Sequence, residues 1–337
     1  MNGFGSMLKD YLDYYKISQT DFALRLGISL KHMNEILNEN TKLSEELMLK
    51  ISLITDIDVN LIFYVENKKR IYLSLLEKYN SEENIKNIYK DYYINEMVNK
   101  KWLVLKDKES SVQTAMDLLE YLKISDFKDI NKYLEKKFAY KKNEFANLTK
   151  IYLWIKHCDK LLVSQIVNEY NKENFNKLLE ELKIERMKKF NKKSLIKLFN
   201  KYGIYLVIED ALASTKIRGC TTVKKNNPAI YITTYLKEKS SFYYVLYHEL
   251  AHIKTDYNKA KNTIIIDSDN ESKMDAFALN EMITPNDYEL LKNNRKNINK
   301  ISKEKYIPLC FIYSRLAHDK LIKYNSLEYI KSREPIN

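Results

Sequence analysis

Two of the chain's five histidines, His248 and His252, stand four residues apart with a glutamate directly after the first. On an α-helix, residues i and i+4 lie on one face, so the two imidazoles can bind a single Zn²⁺ ion. Glu249 lies one residue further round the helix, where its carboxylate can reach a water at the metal and act as a base. The spacing therefore predicts a catalytic zinc centre built on a helix.

The residues around this motif favour that helix. Residues 242–253 contain no Gly or Pro, and Ser241 can serve as the N-cap. The side opposite the histidines is apolar, with Tyr243, Leu246, Leu250 and Ile253. The alternative is a chance match on a buried helix, but a chain with so few histidines seldom produces this spacing by chance.

A catalytic zinc ion needs a third protein ligand and an open position for water. Glu271 and Asp275 stand four residues apart, again on one helix face. Glu271 can supply the third ligand, and Asp275 can accept the second N–H of a ligating histidine. Alternatively, Ser268 and Glu271 form a capping box that opens this helix, in which case Asp267 or Asp269 would be the ligand.

The last third of the chain resembles the ImmA/IrrE-type zinc metallopeptidases. The segments that follow the order of that family are Gly203-Ile204 at the start of an apolar strand, Arg218-Gly219, the strand at 229–232, the zinc helix, and a C-terminal helix at 310–318 followed by 321–324. After residue 278 the family usually continues into an aliphatic pair and a proline. Here Met282, Ile283, Thr284 and Pro285 depart from that pattern by one threonine.

This resemblance implies an α+β, zincin-like peptidase domain with Zn²⁺ on His248, His252 and Glu271. The ion would polarise the scissile carbonyl and lower the pKa of a water, and Glu249 would pass the water's proton to the leaving amine. Family members often cut a transcriptional repressor. The implied function is a regulatory protease with one or few protein substrates.

The first 65 residues resemble a helix-turn-helix domain of the XRE type, most closely the HigA-type subclass. Leu8, Leu12 and Tyr15 suggest a first helix, and Ser18 caps a second one that ends near Gly27. A third helix over residues 30–37 turns Met33, Ile36 and Leu37 inward, and segments 43–54 and 59–64 complete a five-helix unit.

In this fold the third helix enters the major groove of double-stranded promoter or operator DNA. The resemblance implies a phosphate contact for Gln19 and a backbone contact for Lys42, and the base-edge contacts fall to Lys31, His32, Asn34 and Asn38. The charge argues against DNA binding, because residues 1–66 carry six basic and ten acidic side chains, a net charge of −4. The alternative is an ordinary helical bundle with solvated polar residues.

Residues 67–195 contain helical apolar spacing without a motif, so they are predicted to be a helical connector or partner-sensing region. Trp102, Trp154 and His157 are expected to be core residues. The predicted fold class is thus mostly α, with a helix-turn-helix domain at 1–66, the helical middle, and an α+β metallopeptidase domain with a small sheet at 196–337.

The composition indicates a multidomain cytoplasmic protein. Five Gly and four Pro in 337 residues predict few turns and much helix. No apolar run is long enough to span a membrane, and Cys158, Cys220 and Cys310 lack disulfide or metal spacing. The net charge of +12 either marks a nucleic-acid surface or, as we favour, reflects lysines that solvate helix faces.

Two other functions fit the same residues. The first is a DNA-binding repressor whose zinc domain is a sensor or docking surface without turnover, and the second is an antitoxin-like protein whose acidic N-terminal domain binds a toxin. A homodimer is compatible with the predicted helix-turn-helix domain. An intact Glu249 favours catalysis, because a purely structural zinc site needs no base.

Overall fold

The computed structural model describes residues 2–79, 81–128, 130–140, 148–235, 237–266 and 271–336. The protein is mostly α-helical, as the composition predicts, and has one small mixed sheet. The helices up to residue 162 are α1 (Phe4–Tyr15), α2 (Gln19–Leu26), α3 (Leu30–Leu37), α4 (Glu45–Thr55), α5 (Val59–Tyr79), α6 (Glu82–Tyr89), α7 (Ile94–Asn99), α8 (Ser111–Leu122), α9 (Ile130–Lys137) and α10 (Leu148–Leu162).

The later helices include the two that carry the predicted metal ligands, α13 and α14. They are α11 (Phe175–Glu185), α12 (Lys192–Lys201), α13 (Lys239–Ala260), α14 (Glu271–Met282), α15 (Pro285–Asn293), α16 (Ile298–Glu304), α17 (Leu309–His318) and α18 (Leu327–Ser332). Short 3-10 turns lie at Lys90–Tyr92, Lys172–Asn174 and Arg295–Asn297. None of the helices in the described ranges is long and apolar enough to cross a membrane.

The chain divides into two compact units, one of residues 1–94 and 103–123, the other of residues 95–102 and 124–337. In the first unit, helices α1–α5 enclose one apolar core that includes Phe22, Met33, Ile36 and Leu37. Serine caps α2, α3 and α4, as Ser18, Ser29 and Ser44 accept hydrogen bonds from backbone N–H groups of the first turn. Leu8 and Leu12 of α1 are buried, whereas Tyr15 at its end is exposed.

The predicted boundary at residue 66 lies inside α5, which continues to Tyr79. Basic side chains beyond that boundary fasten the helix to the bundle: Lys69 Nζ donates to Glu39, and Arg70 Nη2 donates to the carbonyl of Leu43. Glu39 Oε1 also accepts the N–H groups of Gly3 and Ser6, so one carboxylate joins α5 to the start of α1. The predicted connector at 67–195 is divided between the two units.

The second unit contains the sheet, with strands β1 (Phe138–Ala139), β2 (Tyr205–Ile208), β3 (Gly219–Lys224), β4 (Asn227–Ile232) and β5 (Ile264–Ile265) in the order β1-β5-β3-β4-β2. Strand β3 runs antiparallel to β4 and β5, while β2 is parallel to β4 and β1 to β5. The β3–β4 turn places Lys225 and Asn226 at positive φ, as a two-residue type I′ hairpin requires.

Helix α13 packs against β3 and β4, and its apolar side belongs to a core that also includes Ile230 and Ile232. The residues predicted to form that side, Tyr243, Leu246, Leu250 and Ile253, are all buried. This arrangement brings the histidine side of α13 close to α14 and to the start of β3.

The three aromatic residues that the sequence placed in a core are indeed enclosed by the second unit. Trp102 and Trp154 are buried, and the indole of Trp102 stacks on the ring of His157 with centroids 4.4 Å apart. Burial, aided by Lys160 and Lys100, lowers the pKa of His157 to about 4, so this imidazole is neutral at pH 7.

Candidate metal centre

Helix α13 begins at Lys239, so the prediction that Ser241 is its N-cap is wrong. The extra turn forms because Lys239, 1% exposed, donates from Nζ to Glu334 Oε2 at 2.6 Å and to the carbonyl of Lys188 at 2.8 Å. Its backbone N–H donates to the carbonyl of Glu334. The C-terminal segment thus fixes the start of the helix that carries the histidines.

The structure brings His248, His252 and Glu271 together. One possible ligand atom from each residue lies within 4.8 Å of the other two. The Nε2 atom of His248 is 2.8 Å from Glu271 Oε2, and that of His252 is 3.5 Å from Glu271 Oε1. Ligands about 2.0–2.2 Å from a tetrahedral zinc ion stand roughly 3.4 Å apart, so these residues have the spacing of a ligand set.

A carboxylate fixes the orientation of each imidazole. His248 Nδ1 lies 3.0 Å from Asp275 Oδ1, as expected for the second N–H of a ligating histidine. His252 Nδ1 lies 3.0 Å from Asp256 Oδ2 on the same helix. With these N–H groups donating, both Nε2 atoms present a lone pair toward Glu271. Tyr244 Oη donates to Asp275 Oδ1 at 2.5 Å and holds that carboxylate in place.

Two observations indicate that these residues fit a divalent cation. The Nε2 atom of His252 is buried and has no hydrogen-bond partner among the described residues, which is costly unless a ligand satisfies it. Burial lowers the pKa of His248, but Glu271, Glu249 and Asp275 outweigh that effect and raise the pKa to about 9. The surrounding carboxylates thus favour a positive charge at His248.

Glu249 lies beside this cluster, 3% exposed, in contact with β3. Thr221 Oγ1 donates to Glu249 Oε2 at 2.6 Å, and Gly219 faces the same carboxylate. A Cβ atom on Gly219 would stand 2.7 Å from Glu249 Oε1, so only glycine leaves room for the carboxylate. Burial raises the pKa of Glu249, while His252, His248 and Thr221 oppose the rise.

Sequence reasoning missed Asp256, Thr221, Gly219 and Tyr244 as parts of this site. Asp256 had a detectable signal, since it stands four residues after His252 and therefore lies on the same helix face. Thr221 had none, and Gly219 had only its place in a segment that follows the order of the metallopeptidase family, because the position of both against Glu249 depends on a distant strand. The alternative ligands Asp267 and Asp269, and the capping residue Ser268, lie outside the described residues.

The threonine that departs from the family pattern has a local role. Thr284 is the N-cap of α15, where its Oγ1 accepts the backbone N–H of Asp287, and Pro285 follows in the first turn. The extra threonine therefore starts the next helix.

The predicted DNA-contacting residues lie on or next to α2 and α3 of the first unit. Five of them are exposed, namely Gln19, Lys31, Asn34, Asn38 and Lys42. His32 differs, because it is half-buried and its Nε2 atom is out of contact with solvent. This ring is less available for a base edge than the sequence suggests.

No family model, no curated protein and no solved structure matches this chain. The resemblances to the metallopeptidase and helix-turn-helix families therefore stay predictions from the sequence.

Proposed function

We propose that the second unit is a zinc-dependent peptidase that cuts a regulatory protein such as a transcriptional repressor. The observation that carries the proposal is the arrangement of His248, His252 and Glu271, with Glu249 beside them. A structural zinc site is usually closed by four protein ligands. Here only three ligands converge among the described residues, and a buried carboxylate adjoins them.

In this proposal each side chain of the site has a separate role. A bound zinc ion supplies positive charge that polarises a peptide carbonyl and acidifies water. Asp275 and Asp256 keep each imidazole in the tautomer that turns Nε2 to the ion. Glu249 accepts a proton from the attacking water and delivers it to the departing amine, because its carboxylate is held by Thr221 and its pKa is raised by burial.

Glu249→Gln tests catalysis directly. The substitution removes the base and preserves the side-chain shape, so the variant should keep its zinc and lose cleavage. Cells that produce the wild-type protein should contain new protein N-termini that are absent from cells producing Glu249→Gln. Glu180→Gln, an exposed residue of α11, is the matched control and should retain them. If wild type and Glu249→Gln give the same N-termini, the domain is a sensor or docking surface.

We further propose that the first unit binds promoter DNA, which makes the protein a cytoplasmic transcription regulator with a coupled peptidase domain. The support is the sequence of serine-capped helices and the exposed polar side chains on α3. The full-length protein should prefer its own promoter region to random DNA. Asn34→Ala should relax that preference, whereas Lys42→Ala should weaken all sequences alike. Equal affinity for both DNAs would indicate that the acidic unit binds a protein, as an antitoxin does.

A further inference from the structure

A cavity of about 830 Å³ opens beside the metal centre, within the second unit. Its walls come from α13, α14, α15, α17 and α18, together with Arg218 just before β3. Tyr244 and Asp275 line it, and Asp275 is the residue that accepts the hydrogen bond of His248. The cavity and the metal centre therefore share a wall.

The size of the cavity indicates a ligand larger than one side chain. Ligand pockets occupy about 300–1,000 Å³, and this volume lies in the upper part of that range. The wall behind Asp275 is apolar, with Val245, Leu279 and Phe311. Tyr329 also lines the cavity. An occupant that fills this space must bring large apolar groups.

Most charged side chains of the cavity wall have a hydrogen-bond or ion-pair partner. Asp275 is engaged by His248 and Tyr244, and Glu289 accepts from Lys292 Nζ at 2.6 Å. Arg315 Nε lies 3.1 Å from Asp319 Oδ2, and His318 also contacts Asp319.

Arg218 is different. It is exposed and makes no side-chain hydrogen bond or ion pair with any residue in the described ranges. It lies one residue before Gly219, which adjoins Glu249. The unpaired charge of the cavity wall is therefore the positive guanidinium of Arg218. It lies at the end of the cavity nearest the metal centre and would attract a carboxylate of the occupant.

We propose that this cavity holds the part of the peptide substrate next to the cleaved bond, and that it selects segments with bulky apolar side chains together with an acidic residue that reaches Arg218. The proposal rests on the peptidase function above and names its substrate class. The occupant's apolar side chains would lie against Leu279 and Phe311, and its carboxylate would pair with the guanidinium of Arg218.

The test is a binding selection that does not depend on turnover. Zinc-loaded, full-length Glu249→Gln is used to select from a random library of heptapeptides with blocked termini, so that carboxylates come only from Asp and Glu side chains. Selected peptides should be enriched in Leu, Ile, Met, Phe or Tyr together with Asp or Glu. Wild-type protein is then given the selected peptides to cleave.

Two pairs of variants, made in the Glu249→Gln background, connect the selection to the cavity. Ala276→Trp fills it from the exposed side of α14 and should weaken binding of the selected peptides at least about tenfold. Lys273→Trp, exposed on the same helix and outside the cavity, should not. Arg218→Glu should replace the acidic preference by a basic one, while Lys216→Glu, with the same change of charge, should leave it intact. Unchanged zinc content and thermal midpoint exclude misfolding.

The outcomes separate this proposal from the peptidase proposal. Selection of apolar, acidic peptides that wild type does not cleave supports the cavity and refutes turnover. The cavity proposal is overturned if library peptides are cleaved but show no such enrichment. It is also overturned if they are cleaved and Ala276→Trp and Arg218→Glu leave the preference unchanged. In both cases the peptidase proposal remains supported. If the protein neither binds nor cleaves the library peptides, both proposals are overturned.

Discussion

The hydrogen bond from Thr221 to Glu249 gives a prediction whose size follows from the structure. Thr221 is fully buried and its hydroxyl donates to Oε2 of a carboxylate that is itself 3% exposed. Thr221→Val keeps the β-branched shape, so the change removes the donor and leaves no cavity. A hydrogen bond to a charged group contributes about 1.5–3 kcal/mol. The loss should reach that range, because both partners are buried.

The assay is thermal unfolding of the zinc-loaded protein at pH 8. For a unit of this size, about 1 kcal/mol shifts the midpoint by roughly 2–4 °C, so a fall of about 3–12 °C is expected. Thr222→Val is the matched control. Thr222 is also buried on β3, but its side chain makes no hydrogen bond to any residue within the described ranges. Equal midpoints for the two variants would refute the hydrogen bond from Thr221 to the carboxylate of Glu249.

Three further predictions concern other parts of the molecule. Asp256→Asn should weaken zinc binding about 10–100-fold, measured by competition with a chelator, because it disturbs the partner of His252; unchanged affinity would contradict that role. Gly5→Ala should lower the stability of the first unit by at least about 2 kcal/mol in urea unfolding, since its Cβ would stand 2.1 Å from the carbonyl oxygen of Ile36; an unchanged midpoint would contradict the close approach of α1 and α3. The pKa of His157 is about 4 in the folded state, so the imidazole binds its proton more readily in the unfolded chain. Its contribution to the free energy of unfolding should therefore be complete above pH 6.5 and should disappear as the pH falls toward 4. His157→Gln should flatten that part of the stability profile, and an identical profile would show that the imidazole does not titrate this way.

The elements that depend on local sequence were predictable. Helix α3 covers the predicted residues 30–37, because Ser29 caps it and its apolar spacing is regular. The continuation of α5 beyond residue 66 was not predictable, because Lys69 and Arg70 find their partners, Glu39 and Leu43, in the segment between α3 and α4. Strand β1 was also missed, because a strand of two residues carries no periodic signal and forms by pairing with β5.

The same distinction holds at the candidate site. His248, His252, Glu271 and Asp275 were identified because helical spacing of four residues is visible in a sequence. The contact of Gly219 with Glu249 requires a strand and a helix to meet across 29 intervening residues of the chain. Only the folded structure shows that contact, and likewise the cavity beside Asp275.

The metal content of the purified protein tests the central claim most directly. Elemental analysis of the wild type should give about one zinc per chain, and His252→Ala should lose it, because the buried Nε2 atom of His252 is one of the converging ligand atoms. His318→Ala is the matched control: this histidine is exposed on α17, and the variant should keep its zinc. A wild-type protein without bound metal, or equal zinc in both variants, would contradict the assignment of the metal centre.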